Sequence, residues 1–298
     1  VDNKGITIRG NEAGVFYGVQ TLQQLMVTDA SGNITVPYVH INDEPRFGYR
    51  SLMLDVGRYF YPVEFVKRYI DLMSHYKINR FHWHLTEDAG WRIEIKKHPE
   101  LIEMRSIRQR TMIEKQWNTF DETPYGGYCT QDQIREVVDY AAERFITVIP
   151  EIDLPGHMVA ALASYPELGC TGGPYEVSGQ WGIRDDVLCA GEDRIYDFIE
   201  GVLSEVIALF PSPYIHVGGD ECPKIRWEKC AKCQKKIKEL GFVSDEQHKA
   251  EHYLQSYVMK RTNDFVVKHG RQIIGWDEIL EGGLPDGAIV MSWRGLDG

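Results

Sequence analysis

From Arg50 onward, hydrophobic and polar positions follow a repeating order. A short run of β-branched or large apolar residues is followed by a polar stretch, then by an apolar stripe of helical period, then by the next short run. The first run, "SLMLDVG", precedes Pro62 at a helix start and a stripe of Phe65, Val66, Tyr69, Ile70 and Met73. "INRFHWHL" is the second run. Thr130 and Gln133 form a T-x-x-Q capping signature for a helix carrying Ile134, Val137, Val138 and Ala141, which leads into "ITVIPEID". A helix with Ile195, Phe198, Ile199, Val202, Val206 and Phe210 leads into "YIHVGG". Ser244 with Gln247 is expected to cap a long helix that Gly270 ends before "QIIGWDE", and "AIVMSW" is the last run.

This order predicts an α/β fold of parallel strands whose ends carry Asp55, His84, Asp153, Asp220, Trp276 and Trp293. A TIM (β/α)8-type barrel fits best, incomplete, with about six of its strands present. The two longest connections, Thr86 to Cys129 and Leu154 to Gly191, follow strands and therefore gather on the carboxyl face with those strand ends. Residues 1–45 read differently, as a strand with Ile6 and Ile8 alternating, then a helix with Phe16, Val19, Leu22 and Met26. One strand and one helix cannot close a core. That segment is expected to be the C-terminal remnant of a small α/β domain with its linker, and 46–298 the partial barrel.

Composition narrows the function classes. The chain has 298 residues, 43% hydrophobic and 26% charged, and 33 basic against 44 acidic residues give a net charge of -11. Such a surface repels a phosphate backbone, so no nucleic-acid partner is expected. No apolar run approaches the roughly 20 residues of a transmembrane helix. Six cysteines do not make a disulfide framework in a chain this long, and the one C-x-x-C, Cys230 and Cys233, has no second pair at zinc-ribbon spacing. No metal is expected there. Without a G-x-G-x-x-G or a Walker-type loop, no cofactor is expected either.

The candidate chemistry lies at the strand ends. Asp220 and Glu221 are adjacent just where "YIHVGG" runs out, and adjacent strand residues face opposite ways, so the pair sits at the barrel edge. Crowding of like charges raises the proton affinity of at least one member, as a general acid at neutral pH requires; a solvated acidic loop is the alternative. His82 and His84 share one strand face, and with Asp153 and His157 they could begin a metal site, although barrel-lining histidines are more often satisfied by hydrogen bonds. Arg58 offers a fork of donors to hydroxyls or a carboxylate, or a salt bridge to Glu87 or Asp88. Trp276 and Trp293 offer flat apolar faces that suit a sugar ring, or core packing. Carboxylates, aromatics and an arginine without a cofactor loop point to glycoside chemistry.

The motifs "RSLMLDVGRYF", "FHWHLTEDAGWR", "PEIDLPGH", "HVGGDE", "IIGWDE" and "MSW" resemble, in order, those of glycoside hydrolase family 20, the β-N-acetylhexosaminidases. "AGVFYGVQTLQQL" resembles the last helix of the small domain that precedes the family's barrel. The resemblance implies removal of terminal non-reducing β-linked GlcNAc or GalNAc from glycans or chitooligosaccharides. In this family the substrate's 2-acetamido oxygen is the nucleophile, the configuration is retained, and the intermediate is an oxazolinium. It implies Glu221 as general acid/base and Asp220 as the group that orients the acetamide. It also implies Arg58 and Glu87 as sugar contacts, Asp153 and His157 as supports of the acid, and Trp276 and Trp293 as pocket walls. Many members have Asp-Asp where this chain has Glu87-Asp88. The family's acetamide-binding tyrosine and Trp-x-Glu lie beyond the sixth strand, so the chain is expected to be part of a longer enzyme. An extracytoplasmic location is expected from the usual substrates, and a non-catalytic sugar-binding relative or an inactive fragment is the alternative.

Overall fold

The computed structural model describes all residues except 104, 105, 118 and 296–298. Six parallel strands form one sheet: β1 Ser51–Asp55, β2 Arg80–His84, β3 Thr147–Glu151, β4 Tyr214–His216, β5 Gln272–Trp276 and β6 Ile289–Met291. Sheet order is the chain order, with β1 and β6 at the edges, so the strands make an open half-barrel of the TIM type. The connections carry α2 Val63–His75, α3 Gln131–Ala142, α4 Arg194–Leu209, α5 Ala231–Leu240 and α6 Ala250–Lys268, after α1 Glu12–Leu25 near the N-terminus. Among the described residues no helix is long and apolar enough to cross a membrane.

Local signals explain most boundaries. Pro62 is the N-cap of α2, whose Val66, Ile70 and Met73 are buried. The Thr130 Oγ1 accepts from the Gln133 backbone and Gln133 Oε1 from the Thr130 backbone, a complete capping box for α3. Between helices and sheet, Phe81 and Trp83 stack with ring centres 5.7 Å apart, and Trp83 meets Phe210 edge-on. Because side chains alternate along β2, His82 and His84 face the barrel interior instead.

Register sets the interior. Asp55 pairs with His84, His84 with Glu151, and Glu151 with His216, so four polar residues from four strands form one layer near the carboxyl end.

Two expectations are corrected. The segment around Ile6 and Ile8 forms no strand: it has no ladder partner among the described residues, Ile6 is exposed, and Ile8 packs against Gly18 of α1. Ser244 and Gln247 form no capping box either. The Asp245 carboxylate accepts from the Gln247 and His248 amides and folds a local turn, which delays the start of α6 to Ala250; Ser244 Oγ then accepts from the Ala250 amide.

Candidate active site

β4 ends at His216, and the backbone turns sharply through Gly218 and Gly219. Gly218 has φ +66°, and a Cβ there would lie 1.7 Å from Asp153 Oδ1, so only glycine lets this turn pass over that carboxylate. The Gly219 amide donates to Asp153 Oδ1 at 3.2 Å. Glu221 follows with φ +43°, and His157, on the loop after β3, has φ +51°. Left-handed backbone at a non-glycine residue is costly and persists where surrounding contacts dictate it. Here the two residues in that conformation face each other.

His157 is the junction of the site. Its Nδ1 lies 2.8 Å from Glu87 Oε1 and 3.4 Å from Asp88 Oδ2; its Nε2 lies 3.5 Å from Glu221 Oε2 and 3.6 Å from Asp220 Oδ2. Burial alone would favour the neutral ring, but four carboxylates around it raise its proton affinity far above the usual histidine range. Arg58 Nη1 sits 2.7 Å from Asp55 Oδ2 and Nη2 2.6 Å from Glu87 Oε1, with a third of the side chain exposed at the mouth. Glu87 is buried, and although burial opposes its charge, His157 and Arg58 hold its proton affinity below the ordinary value. Asp153 is buried with its amide on Thr86 Oγ1 at 3.0 Å and its carboxylate against the Asp220 turn.

The adjacent carboxylates are therefore unlike. Burial pushes Asp220 upward, whereas the contact with His157 pulls Glu221 downward. The cause at Asp220 is burial rather than the expected crowding by Glu221, because Asp220 is the more enclosed: 16% of its side chain is exposed against 27% for Glu221. The outer flank of Glu221 faces solvent, where a ligand can approach.

Beneath this layer lies a second, which the sequence reading missed. Glu151, fully buried, receives His82 Nε2 at 2.7 Å, His84 Nδ1 at 2.6 Å and His216 Nδ1 at 3.0 Å, and accepts from Trp276 Nε1 at 2.9 Å. Burial lowers the proton affinity of His84, yet Glu151 and Asp55 bring it up to about 9, while burial dominates at His216 and takes it down to about 4. Glu151 itself, despite burial, is held well below the ordinary carboxylate value by these rings. The H-x-H histidines are thus satisfied by a carboxylate on the neighbouring strand. Arg92 was missed too. Fully buried, it donates to the carbonyls of Val56, Gly57, Ala89 and Gly127 and ties the long loop after β2 to the end of β1.

Of the sequence-predicted residues, Arg58, Glu87, Asp153, His157, Asp220 and Glu221 form one contiguous network. Trp276 joins it through Glu151, its ring 4.8 Å from that of His216. Trp293 stands apart on the loop after β6, half exposed, with Nε1 on Glu278 Oε2 at 3.0 Å. Asp153 and His157, expected as supports of the acid, come within 4.8 Å of each other and of Asp220; the His157 nitrogens lie nearest Glu87, Asp88, Asp220 and Glu221, and Asp153 underlies the Asp220 turn.

The chain resembles known proteins over nearly all of its length. Residues 47–298 match the model of the glycosyl hydrolase family 20 catalytic domain, and residues 1–44 that of the family's domain 2. A β-hexosaminidase of Porphyromonas gingivalis is 51% identical over 100% of this chain and 37% of its own length, and one of Vibrio furnissii 40% identical over 98% and 47%. The crystal structure of a Flavobacterium johnsoniae chitobiase superposes with a TM-score of 0.81 at 40% identity, covering 94% of this chain and 39% of that one. A Vibrio harveyi exo-β-N-acetylglucosaminidase, solved with N-acetylglucosamine, gives 0.80 at 36%, covering 96% and 44%. The chain thus spans less than half the length of these relatives. In sequence and in fold, it belongs to glycosyl hydrolase family 20, and its half-barrel is part of that family's catalytic domain.

Proposed function

We propose that the protein containing this chain is an exo-acting β-N-acetylhexosaminidase that releases terminal GlcNAc or GalNAc from glycans or chitooligosaccharides, with an extracytoplasmic site of action. The observation that carries the reading is the placement of two unlike carboxylates on one turn, with His157 Nε2 within 3.6 Å of both. One carboxylate is enclosed and one open. The named relatives, β-hexosaminidases and a chitobiase, support the substrate class.

In this reading Glu221 donates a proton to the leaving oxygen and later takes one from water. With His157 beside it, Glu221 is ionised in the free site; a sugar that covers its exposed flank desolvates it and raises its proton affinity, readying it as an acid. Asp220 accepts the acetamide N-H and stabilises the positive charge that grows as the acetamide oxygen attacks the anomeric carbon. Asp220 is fixed for this by the turn over Asp153. Arg58, held by Asp55 and Glu87, presents its remaining donors to sugar hydroxyls, and Trp276, beside Glu151 and His216, offers the pocket an aromatic wall.

The test is nitrophenol release from aryl β-GlcNAc and aryl β-glucoside by the intact protein, with Glu221→Gln alongside. Turnover of the first only, lost in the variant, is the expected result. Equal turnover of both sugars would contradict it, because the glucoside has no acetamide nucleophile.

A further inference from the structure

The C-x-x-C pair is not isolated in the fold. Cys170 and Cys189, from the middle and the end of the connection after β3, lie against Cys230 and Cys233 at the start of α5, and the four sulfurs are all within 4.8 Å of one another. None is in a disulfide. The separations are 3.6 Å for Cys189–Cys230, 3.6 Å for Cys189–Cys233 and 3.8 Å for Cys170–Cys233. Four thiolates about 2.3 Å from a central zinc ion sit about 3.8 Å apart along the edges of the tetrahedron. The agreement identifies a cage of the right size, and the sequence concealed it because Cys170 and Cys189 are not a close pair.

The surroundings are built for the cluster. Cys189 and Cys233 are fully buried and Cys230 nearly so. Gly191, two residues after Cys189, has no room for a side chain: a Cβ there would lie 2.2 Å from the Lys232 carbonyl carbon and 2.4 Å from the Cys233 amide nitrogen. The two backbones are therefore pressed together at the sulfurs. Around them, Lys232 pairs with Glu192 at 2.6 Å, Lys236 with Asp193 at 2.8 Å, and Trp227 Nε1 donates to the Leu188 carbonyl at 2.9 Å. The lysines of "KCAKCQKK" also offset the charge of a tetrathiolate.

We propose that Cys170, Cys189, Cys230 and Cys233 bind one structural zinc ion. All four positions of the tetrahedron are filled by protein, so the ion has no open position for substrate or water, and binding releases the thiol protons to solvent. Its place in the fold gives it a consequence for the active site. The loop from Leu154 to Gly191 carries His157, and the segment from Gly218 to Cys233 carries Asp220 and Glu221. The zinc fastens these two segments to each other and so holds His157 against the acid pair from behind.

The test is the metal content of the intact protein, after purification under reducing conditions and incubation with zinc chloride, then gel filtration. About one zinc per chain is expected, falling below about a tenth of that in Cys189→Ser and Cys233→Ser and unchanged in Cys129→Ala, since a structural site needs all of its thiolates. Replacement with cobalt(II) should give the intense charge-transfer and visible bands of a tetrahedral thiolate site. Substoichiometric zinc in the wild-type protein with all four thiols freely alkylated would overturn the proposal, as would disulfides among these cysteines by mass spectrometry, or iron in place of zinc. The wild-type measurements decide even if a variant fails to fold, and none depends on the sugar chemistry.

Discussion

At the scale of single residues, the account rests on the difference between Asp220 and Glu221. If Glu221 supplies the leaving-group proton, Glu221→Gln should cut kcat/KM, which reports the steps up to departure of the leaving group, by about 10²–10⁴ on an alkyl or sugar leaving group and far less on dinitrophenol, which departs without a proton. Equal losses on both leaving groups, from steady-state kinetics, would remove Glu221 from that role. Asp220 makes a thermodynamic prediction. Burial raises its proton affinity in the fold, so the unfolded chain gives up that proton first; stability present below the unfolded pKa is lost as pH rises through the folded one. Asp220→Asn should therefore melt with the wild type near pH 3.5 and above it at pH 7, by roughly 2 °C, while losing activity. A variant that melts lower at pH 7 would show that the charge is better accommodated than the burial implies. The adjacent acids and Arg58 were legible in the sequence because the pair is contiguous and the arginine follows a strand end. Glu151 was not, since its importance arises when register brings His82, His84 and His216 from two other strands onto one carboxylate.

At the scale of elements, the turn after β4 does the positioning. Gly218→Ala requires φ near +66° from a residue with a side chain and drives a methyl group into Asp153, so it should destabilise the fold by about 2 kcal/mol or more. It should also lower kcat on aryl β-GlcNAc with little change in KM, since what it disturbs is the placement of Asp220. Urea unfolding and kinetics measure the two effects, and wild-type values in both would mean that the turn has slack that the contacts do not suggest. The six strands were readable because buried parallel strands are nearly continuous apolar runs and each is followed by a stripe of helical period. The N-terminal strand failed for a complementary reason: alternation at Ile6 and Ile8 gives a propensity, but a strand exists only with a ladder partner. At α6 the expected Ser244–Gln247 cap failed because the Asp245 carboxylate captured the nearby amides.

At the scale of the whole molecule, β1 and β6 leave the half-barrel open, and Leu52 and Met53 on β1 are partly exposed. On this half-barrel Arg58 lies on the loop after β1, and Asp220 and Glu221 lie on the turn after β4. The mechanistic claim is therefore best tested on the intact protein. The direct measurement is kcat/KM on aryl β-glucosaminides whose N-acetyl group carries none, one, two or three fluorines. Each fluorine weakens the acetamide oxygen as a nucleophile while leaving the glycosidic bond and the leaving group alone. Acetamide participation predicts a steep, progressive fall across the series. A flat series would contradict it and assign the attack on the anomeric carbon to a carboxylate or to water.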